Sequence, residues 1–582
     1  MVKNKNTFQY LWPFISKNWK LYILGFILLA LTNVLSVSIP YFLKEAIDAI
    51  SNKNIAHIQK MAIFIGLTAI AFSVSRILSR ICLFQPARIM EYEIRNRYFL
   101  KLLSLPQKYF RTVSVGDLMS RATNDLQAVR AMMGFAALNI FDVFFVFSFV
   151  TASMFSLSWK LALVSLFPFP IMILVLKNLI KRIFIYSGDV QRGMSILSGK
   201  IQENFNGIHI IKNYVQEEHK AREFGTINED YFQKHLKLAK AHSLVFPIFR
   251  DLPNLILPFV IVAGGSFVIQ EKLSLGTLAA FVMYLKQLAG PTMACGWIIN
   301  VFQRGRSAFH RIREVLESTA DVYPEMVTTR APIQGEIEFK NVSFSYNPDQ
   351  KPVLKNISFH IKTGSAVGIL GKIGSGKTTL VQLLMGNEKI KEGQVLLDRK
   401  PIQDYPLMQL RETIGYVPQS SFLFSKTLKD NVYFGAHNIE PSEKLLHEVT
   451  TISHLKHDVD LMQDGFNTTV GEKGITLSGG QQQRAALSRA IIGQHQIYIF
   501  DDSFSHVDHD TEESILKNLK NLLQGKTTIF ISHRISTLKL CDFIIYLENG
   551  EIAESGTHRE LITYGKQYYR TYALQNLEAQ SV

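Results

Sequence analysis

Long apolar runs separated by polar stretches dominate roughly the first 320 residues. A helix needs about 20 mainly apolar residues to cross a bilayer, and six runs approach or exceed that length. We therefore predict membrane spans at residues 21–43, 61–84, 131–158, 160–177, 244–270 and 275–301. Arg76 and Arg80 lie near the end of the second run, where long side chains can extend toward the lipid headgroups.

Basic residues concentrate in two long connections, 84–130 and 177–242, whereas the connections at 156–160 and 271–274 are short. An excess of Lys and Arg beside a span marks the cytoplasmic side. We therefore predict that the long connections and both termini face the cytoplasm, and that the chain lies in the cytoplasmic (inner) membrane. The net charge of +15 fits such loops better than nucleic-acid binding, and the 3 cysteines form no CxxC pair that would favour a disulfide framework or a zinc site.

Two charged residues, Asp142 and Lys286, fall inside predicted spans. Charges at that depth are costly and usually face a cavity or a partner. The sequence leaves three interpretations open: the two residues pair with each other, they line a cavity, or they contact a substrate.

Residues 113–129 and 201–218 mix polar and apolar positions at helical spacing, so we predict that the long connections continue as helices beyond the bilayer. Such helices are either simple solvated extensions or a contact surface for the second half of the chain. From residue 336 the pattern changes to short apolar strands alternating with helical segments. This change predicts an all-α membrane domain at 1–322, a linker at 323–335 and an α/β domain at 336–577.

A glycine-rich motif follows the strand-like run 366–370. It matches G-x-x-x-x-G-K-[ST] and consists of Gly371, Lys372, Ile373, Gly374, Ser375, Gly376, Lys377 and Thr378. Glycines let backbone N–H groups surround phosphate oxygens, and the start of the next helix adds its positive dipole end. Lys377 can reach the β- and γ-phosphates, and the Thr378 hydroxyl can hold Mg²⁺. We predict ATP and Mg²⁺ as the ligands.

An acidic residue, Asp501, ends the apolar run 497–500. A magnesium ligand must be rigid and aimed at the ion, and a carboxylate at the end of a buried strand has those properties. Asp501 is therefore the second Mg²⁺ ligand that we predict.

The stretch Leu477, Ser478, Gly479, Gly480 and Gln481 resembles the signature motif of ABC ATPases. Other motifs follow in the order of that family, and six spans before one such domain resemble its exporter branch. The resemblance implies that Tyr346 stacks on adenine, that Thr379 contacts ATP, that Gln419 helps bind Mg²⁺ and that His533 contacts the γ-phosphate. Within that branch, residues 115–121 and 203–212 resemble the two coupling regions, and 469–474 resembles a loop that touches the intracellular helices.

The same resemblance implies a dimer. Two ATPase domains close head to tail, and each ATP lies between the phosphate loop of one chain and the signature of the other. ATP favours the closed state because it contacts both faces there. Closure then turns a membrane cavity outward, and hydrolysis resets it.

Asp502 departs from the family pattern, which usually has glutamate after the magnesium aspartate. Aspartate is one methylene shorter, and a misplacement of about 1 Å can cost about a hundredfold in rate. Either Asp502 is a slower base, or this site is degenerate and a different partner chain supplies the glutamate. The second interpretation resembles one subunit of heterodimeric bacterial exporters, and a homodimer remains the alternative.

We therefore expect ATP-driven export of hydrophobic or amphipathic compounds, drugs or lipids, with a second half-transporter as partner. The catalytic candidates are Asp502, His533 and Gln419. The alternatives are a homodimeric lipid flippase and a mainly regulatory ATP-binding subunit with weak hydrolysis.

Overall fold

The structure is a computed structural model that describes residues 7–319, 332–347, 351–437, 439–471, 474 and 476–580. It divides into two compact units. The first contains Met1–Leu105 and Val113–Ser318, and the second contains Pro106–Thr112 and Thr319–Val582.

Helices form all of the regular structure described up to residue 318, as the apolar runs predict. They are α1 (Thr7–Lys17), α2 (Trp19–Ser51), α3 (Ile55–Leu103), α4 (Gln107–Thr112), α5 (Val115–Ser120), α6 (Leu126–Ala131), α7 (Ala137–Leu157), α8 (Trp159–Leu166), α9 (Pro168–Asn206), α10 (Ile208–Asn213), α11 (Glu217–Ile269) and α12 (Leu275–Glu317). π-helical turns at Arg121–Asp125 and Met132–Ala136 connect α5, α6 and α7 into one continuous rod. The fourth predicted span begins in α8 and is interrupted at Phe167, just before Pro168 starts α9.

Three helical stretches are long and apolar enough to cross a membrane: Trp19–Ser51, Ile55–Leu103 and Val115–Leu157. Asn254–Ile269 is a shorter apolar helical stretch, and only the described residues enter this assessment. Of the remaining predicted spans, 160–177 is divided between α8 and α9, and 275–301 lies within α12, a longer helix that also carries a polar segment.

The start of α12 is tied to the end of α2. Asp48 accepts hydrogen bonds from the Gly276 backbone N–H (2.9 Å) and the Ser274 hydroxyl (2.8 Å), and Ser274 also caps α12. A β-carbon on Gly276 would lie 2.3 Å from the Lys44 carbonyl oxygen, so only glycine permits this approach. Deeper in the unit, α2, α7, α8, α11 and α12 share one apolar core.

The helical extensions of the two long connections differ from the prediction in one place. The 201–218 stretch is not one helix, because α9 ends at Asn206, α10 ends at Asn213 and α11 begins at Glu217. The loop segment that groups with the second unit is Pro106–Thr112, whereas the predicted coupling stretch 115–121 belongs to the first.

The second unit contains a mostly parallel six-stranded sheet and an antiparallel four-stranded sheet, with strand orders β10-β9-β3-β8-β7-β6 and β2-β1-β4-β5. The strands are β1 (Ile337–Phe344), β2 (Leu354–Ile361), β3 (Ala366–Gly371), β4 (Glu392–Leu397), β5 (Lys400–Pro401), β6 (Ile414–Val417), β7 (Ile497–Asp501), β8 (Thr527–Ile531), β9 (Phe543–Glu548) and β10 (Glu551–Gly556). Only β10 pairs antiparallel in the larger sheet.

Helices form the rest of the regular structure described in this unit. They are α13 (Lys377–Leu384), α14 (Leu407–Thr413), α15 (Leu428–Tyr433), α16 (Glu443–Ile452), α17 (Leu455–Leu461), α18 (Gly479–Ile492), α19 (His509–Leu522), α20 (Ile535–Leu538), α21 (His558–Tyr564) and α22 (Gln567–Gln580), with 3₁₀ turns at Ile402–Asp404 and Gly465–Asn467. The central strands β3, β7 and β8 are almost fully buried, which explains their continuous apolar sequence. Their carboxyl ends lie at one edge of the sheet, where parallel sheets bind ligands.

Candidate nucleotide site

The phosphate loop connects the end of β3 to the start of α13. Gly374 and Gly376 have φ values of +79° and +103°, a region that side chains rarely enter. A β-carbon on Gly371 would lie 2.3 Å from the Leu547 carbonyl oxygen, and one on Gly376 would lie 2.6 Å from Leu354 Cδ2. The loop therefore needs glycine for its backbone path as well as for access to a ligand.

Two polar side chains of this loop fit a phosphate. Lys377 Nζ donates to the carbonyl oxygens of Gly371 (2.8 Å) and Lys372 (3.0 Å), so the ammonium group lies inside the curve of the loop. Burial lowers the pKa of Lys377, and the Asp502 and Asp501 carboxylates oppose that shift. The Ser375 hydroxyl is buried and has no hydrogen-bond partner among the described residues. Ile373 is 94% exposed, so we expect its backbone, and not its side chain, to contact a bound phosphate.

Asp501 ends β7 and is only 2% exposed. It accepts hydrogen bonds from the Tyr416 hydroxyl, at 3.3 Å, and from the Thr378 side chain. Burial raises the pKa of Asp501, and these two hydrogen bonds oppose the shift. A carboxylate beside a threonine hydroxyl is the oxygen-rich donor set that Mg²⁺ prefers, so both predicted ligands fit the ion.

Asp502 follows directly in a left-handed backbone conformation, with φ +48°. Its N–H donates to the Ile531 carbonyl oxygen at 2.8 Å, which attaches this residue to the end of β8. His533 lies just beyond the same strand, and its pKa is lowered by burial and by the charge of Lys377. The sheet edge thus brings together Lys377, Asp501, Asp502 and His533, four residues separated widely in sequence.

Tyr346 is held on three sides. Its ring packs edge-on against Phe344 with centroids 5.1 Å apart, and its hydroxyl lies 3.1 Å from Thr379 Oγ1. The Arg111 guanidinium of α4 lies 5.4 Å from the centre of the ring, and Arg111 also forms a 2.8 Å ion pair with Glu388. Sequence reasoning missed Arg111 because it interpreted the basic residues of that loop only as a marker of membrane orientation.

The signature residues form a separate, well-ordered helix start. Ser478 caps α18 by accepting from the Gln481 N–H (3.3 Å), and Gln481 Oε1 accepts from the Ser478 N–H (3.0 Å). A β-carbon on Gly480 would lie 2.9 Å from the His506 carbonyl oxygen, so this helix packs closely on the 505–508 turn. Gln481 Nε2 also donates to Asp458 Oδ1 at 3.2 Å, and the Leu477 N–H donates to the Gly474 carbonyl oxygen at 2.9 Å.

The remaining predicted residues have less structural support. Gln419 lies two residues after β6 and is exposed. Leu477 precedes the cap of α18 and is buried. In the predicted 469–474 loop, residues 472 and 473 lie outside the described residues.

Two family models match the chain. The ABC transporter transmembrane region matches residues 22–292, and the ABC transporter model matches residues 354–505. The chain is 34% identical to the probable multidrug resistance ABC transporter ATP-binding/permease protein YheI of Bacillus subtilis (strain 168), with 97% of each protein covered. It is 31% identical to the multidrug resistance-like ATP-binding protein MdlA of Escherichia coli (strain K12), with 98% of this chain and 97% of that protein covered.

The solved structure of a bacterial Atm1-family ABC exporter with ATP bound has the same fold. Its TM-score is 0.76 at 21% identity, and the match covers 97% of this chain and 98% of that one. The predicted fold class, a helical membrane domain followed by an α/β nucleotide-binding domain, is confirmed. The chain therefore belongs to the ABC transporter family and combines a transmembrane region with an ATPase domain on one polypeptide.

Proposed function

We propose that this chain is one subunit of a heterodimeric ABC exporter that moves hydrophobic or amphipathic compounds out across the cytoplasmic membrane. The names of its relatives, which include multidrug resistance proteins at 34% and 31% identity, support the substrate class. The excess of Lys and Arg in the two long connections, 84–130 and 177–242, supports an orientation with these connections and both termini in the cytoplasm.

The proposed roles follow the geometry of the site. The loop 371–378 and Thr379 bind the phosphates of ATP, and Tyr346 stacks on adenine. Asp501 and Thr378, with Gln419, hold Mg²⁺, which neutralises the charge that develops on the phosphates. The signature 477–481 completes the ATP site of the partner chain. His533 contacts the γ-phosphate in its neutral form, since its pKa is lowered.

The main support for the heterodimer proposal is the aspartate at position 502. Its backbone N–H is bonded to Ile531 and its φ is +48°, so the main chain has little freedom to move the short carboxylate toward an attacking water. A glutamate would extend the reach by one methylene from the same anchored backbone. We therefore propose that this site binds ATP but hydrolyses it slowly, and that a partner chain with glutamate at this position supplies most of the turnover.

The test compares ATP hydrolysis by the purified chain alone and by its Asp502→Glu and Asp502→Asn variants, reconstituted in lipid. We expect the glutamate variant to raise kcat by about tenfold or more, because it restores the position of the base. Asp502→Asn keeps the size of the side chain, but the amide cannot accept a proton. Comparing this variant with the wild-type chain therefore shows whether Asp502 acts as a weak base or not as a base at all.

Different outcomes separate the alternatives. Fast hydrolysis by the wild-type chain alone, abolished in Asp502→Asn and not raised in Asp502→Glu, would contradict the heterodimer and favour the homodimer. Rapid export by a heterodimer whose only glutamate is removed would also contradict it. A chain that binds ATP, gains nothing from Asp502→Glu and only modulates a partner would favour the regulatory alternative.

A further inference from the structure

A polar cavity of about 330 Å³ lies inside the first unit, between α2, α3, α7 and α12. That size is sufficient for a small ligand. Its apolar wall includes Phe72, Phe135 and Leu138, and its charged lining consists of Arg76, Arg80 and Asp142. A cavity with both kinds of wall suits an amphipathic molecule.

The two arginines lie one turn apart on α3 and so project from the same face. The Arg76 guanidinium lies 5.4 Å from the centre of the Phe72 ring. Neither arginine forms an ion pair with a described residue, and a guanidinium group stays charged at any physiological pH. Both arginines are exposed in the isolated chain and have no carboxylate partner among the described residues, so these two groups are available for an anion.

The single carboxylate of the cavity has a hydrogen-bond partner within the chain. Asp142 Oδ1 accepts a hydrogen bond at 2.9 Å from Asn33 Nδ2, and Asn33 is only 4% exposed. Among the described residues, no ion pair joins Asp142 to Arg76 or Arg80. Asp142 also does not pair with Lys286, which is exposed and does not line this cavity. Two cations against one anion leave the cavity with an excess of positive charge.

Gln287 supplies an unmatched acceptor on the opposite wall. Its Nε2 donates to the Ser36 carbonyl oxygen at 3.0 Å, while its Oε1 is buried without a donor among the described residues. A buried acceptor left unpaired costs about 1–3 kcal/mol, and a ligand hydroxyl or N–H group would satisfy it.

We infer that this cavity binds amphipathic organic anions. The anionic head, a carboxylate, sulfonate or phosphate, lies between Arg76 and Arg80, and the apolar part packs on Phe72, Phe135 and Leu138. Gln287 accepts a hydrogen bond from a ligand that carries a hydroxyl or amide near its head. This inference rests on the proposed export function and narrows its substrate class to anions.

Equilibrium binding without ATP tests the inference. The full-length chain, with its partner where one is required, is placed in nanodiscs of zwitterionic lipid. The probes are a fluorescent dodecanoate and the same labelled chain ending in trimethylammonium. We expect the anion to bind about tenfold more tightly or better, which is the scale of one charge-assisted hydrogen bond.

Matched variants test whether the two arginines bind the anionic head of the probe. Arg76→Gln combined with Arg80→Gln should remove the preference for the anion, and Arg76→Lys combined with Arg80→Lys should retain most of it. Lys286→Gln removes a cation from a membrane helix outside the cavity, so the preference should not change. A wild-type midpoint of thermal unfolding for the membrane unit identifies the variants that are folded. Discs that contain phosphatidylglycerol distinguish the source of the ligand: weaker probe binding indicates a lipid, and unchanged binding indicates a free amphiphile.

Three results would overturn the inference: equal binding of both probes, an anion preference that survives in the double glutamine variant, or a cation preference that Asp142→Asn removes. ATP-driven uptake into inside-out vesicles is measured separately. Uptake of amphipaths without an anion preference would contradict only this inference. Arginine-dependent anion binding without any uptake would support the site and contradict the proposed export function.

Discussion

The nucleotide site and the membrane cavity differ in how their charged groups are paired. At the nucleotide site, Lys377 bonds to carbonyl oxygens of its own loop, and Asp501 accepts from Tyr416 and Thr378. In the cavity, Arg76 and Arg80 have no carboxylate partner among the described residues. The first site is organised before a ligand arrives, whereas the second leaves part of its polar lining unmatched.

This difference suits the two tasks. A site for one invariant ligand gains from rigid groups that need no reorganisation when the phosphates bind. A transport cavity must bind its substrate and then release it, so unmatched charges that a ligand only partly satisfies are an advantage.

Lys377→Ala should cause the largest loss. The ammonium group is the only side-chain cation of the loop that points into its curve, and removing such a group from a charge-stabilising site costs at least about a hundredfold in kcat. The measurement is ATP hydrolysis and ATP binding by the assembled transporter, with the partner's own phosphate-loop lysine also replaced.

The neighbouring Lys372 is the matched control. It is exposed and forms a 2.8 Å ion pair with Glu548, so Lys372→Ala should change kcat by less than about threefold, as expected for a surface pair. Similar losses in both variants would mean that the loop responds to total charge and not to the placement of Lys377. Unchanged transport when Lys377 and the partner's phosphate-loop lysine are both replaced would contradict ATP-driven export altogether.

Much of the nucleotide site could be predicted from the sequence because each part depends on local backbone geometry. Gly371, Gly376 and Lys377 form a contiguous motif, and Asp501 ends an apolar strand. Strand order could not be predicted, yet it mattered little, since the ends of parallel strands meet at one edge. Arg111 was missed because its partners, Tyr346 and Glu388, lie more than two hundred residues away in the sequence.

The membrane cavity could be predicted only in outline. The apolar runs located the helices, because hydropathy is a local property. The role of Asp142 was left open, since its partner Asn33 lies 109 residues away and no local pattern encodes that pairing. Interhelical polar contacts depend on helix rotation and packing, which single-sequence periodicity does not fix.

Asn33→Leu tests whether the carboxylate of the cavity depends on its amide partner. The substitution keeps the number and branching of the side-chain heavy atoms but removes a donor to Asp142, so the free energy of unfolding should fall by about 1–3 kcal/mol. The readout is the midpoint of thermal unfolding in one detergent. Adding Asp142→Asn should recover part of the loss, because the group left unpaired is then neutral.

Asn139→Leu provides the control for that experiment. Asn139 also lines the cavity, but its described hydrogen bond is to the Phe135 carbonyl oxygen of its own helix, at 2.7 Å. Asn139→Leu should therefore lower the midpoint of thermal unfolding less than Asn33→Leu does. Equal midpoints in the two variants would show that the hydrogen bond from Asn33 to Asp142 does not stabilise the fold. The contrast between the cavity and the nucleotide site would then no longer hold for Asp142.

Arg111→Ala should have the smallest effect. Its guanidinium lies 5.4 Å from the Tyr346 ring centre and is partly exposed, and an exposed cation–π contact is worth about 0.5–1 kcal/mol. If Tyr346 stacks on adenine, KM for ATP should rise about two- to fivefold with little change in kcat. Lys108→Ala removes a charge from the same short helix and should leave KM within about twofold. A fall in kcat at unchanged KM would instead indicate that Arg111 acts on the position of α4, and that the adenine platform forms without it.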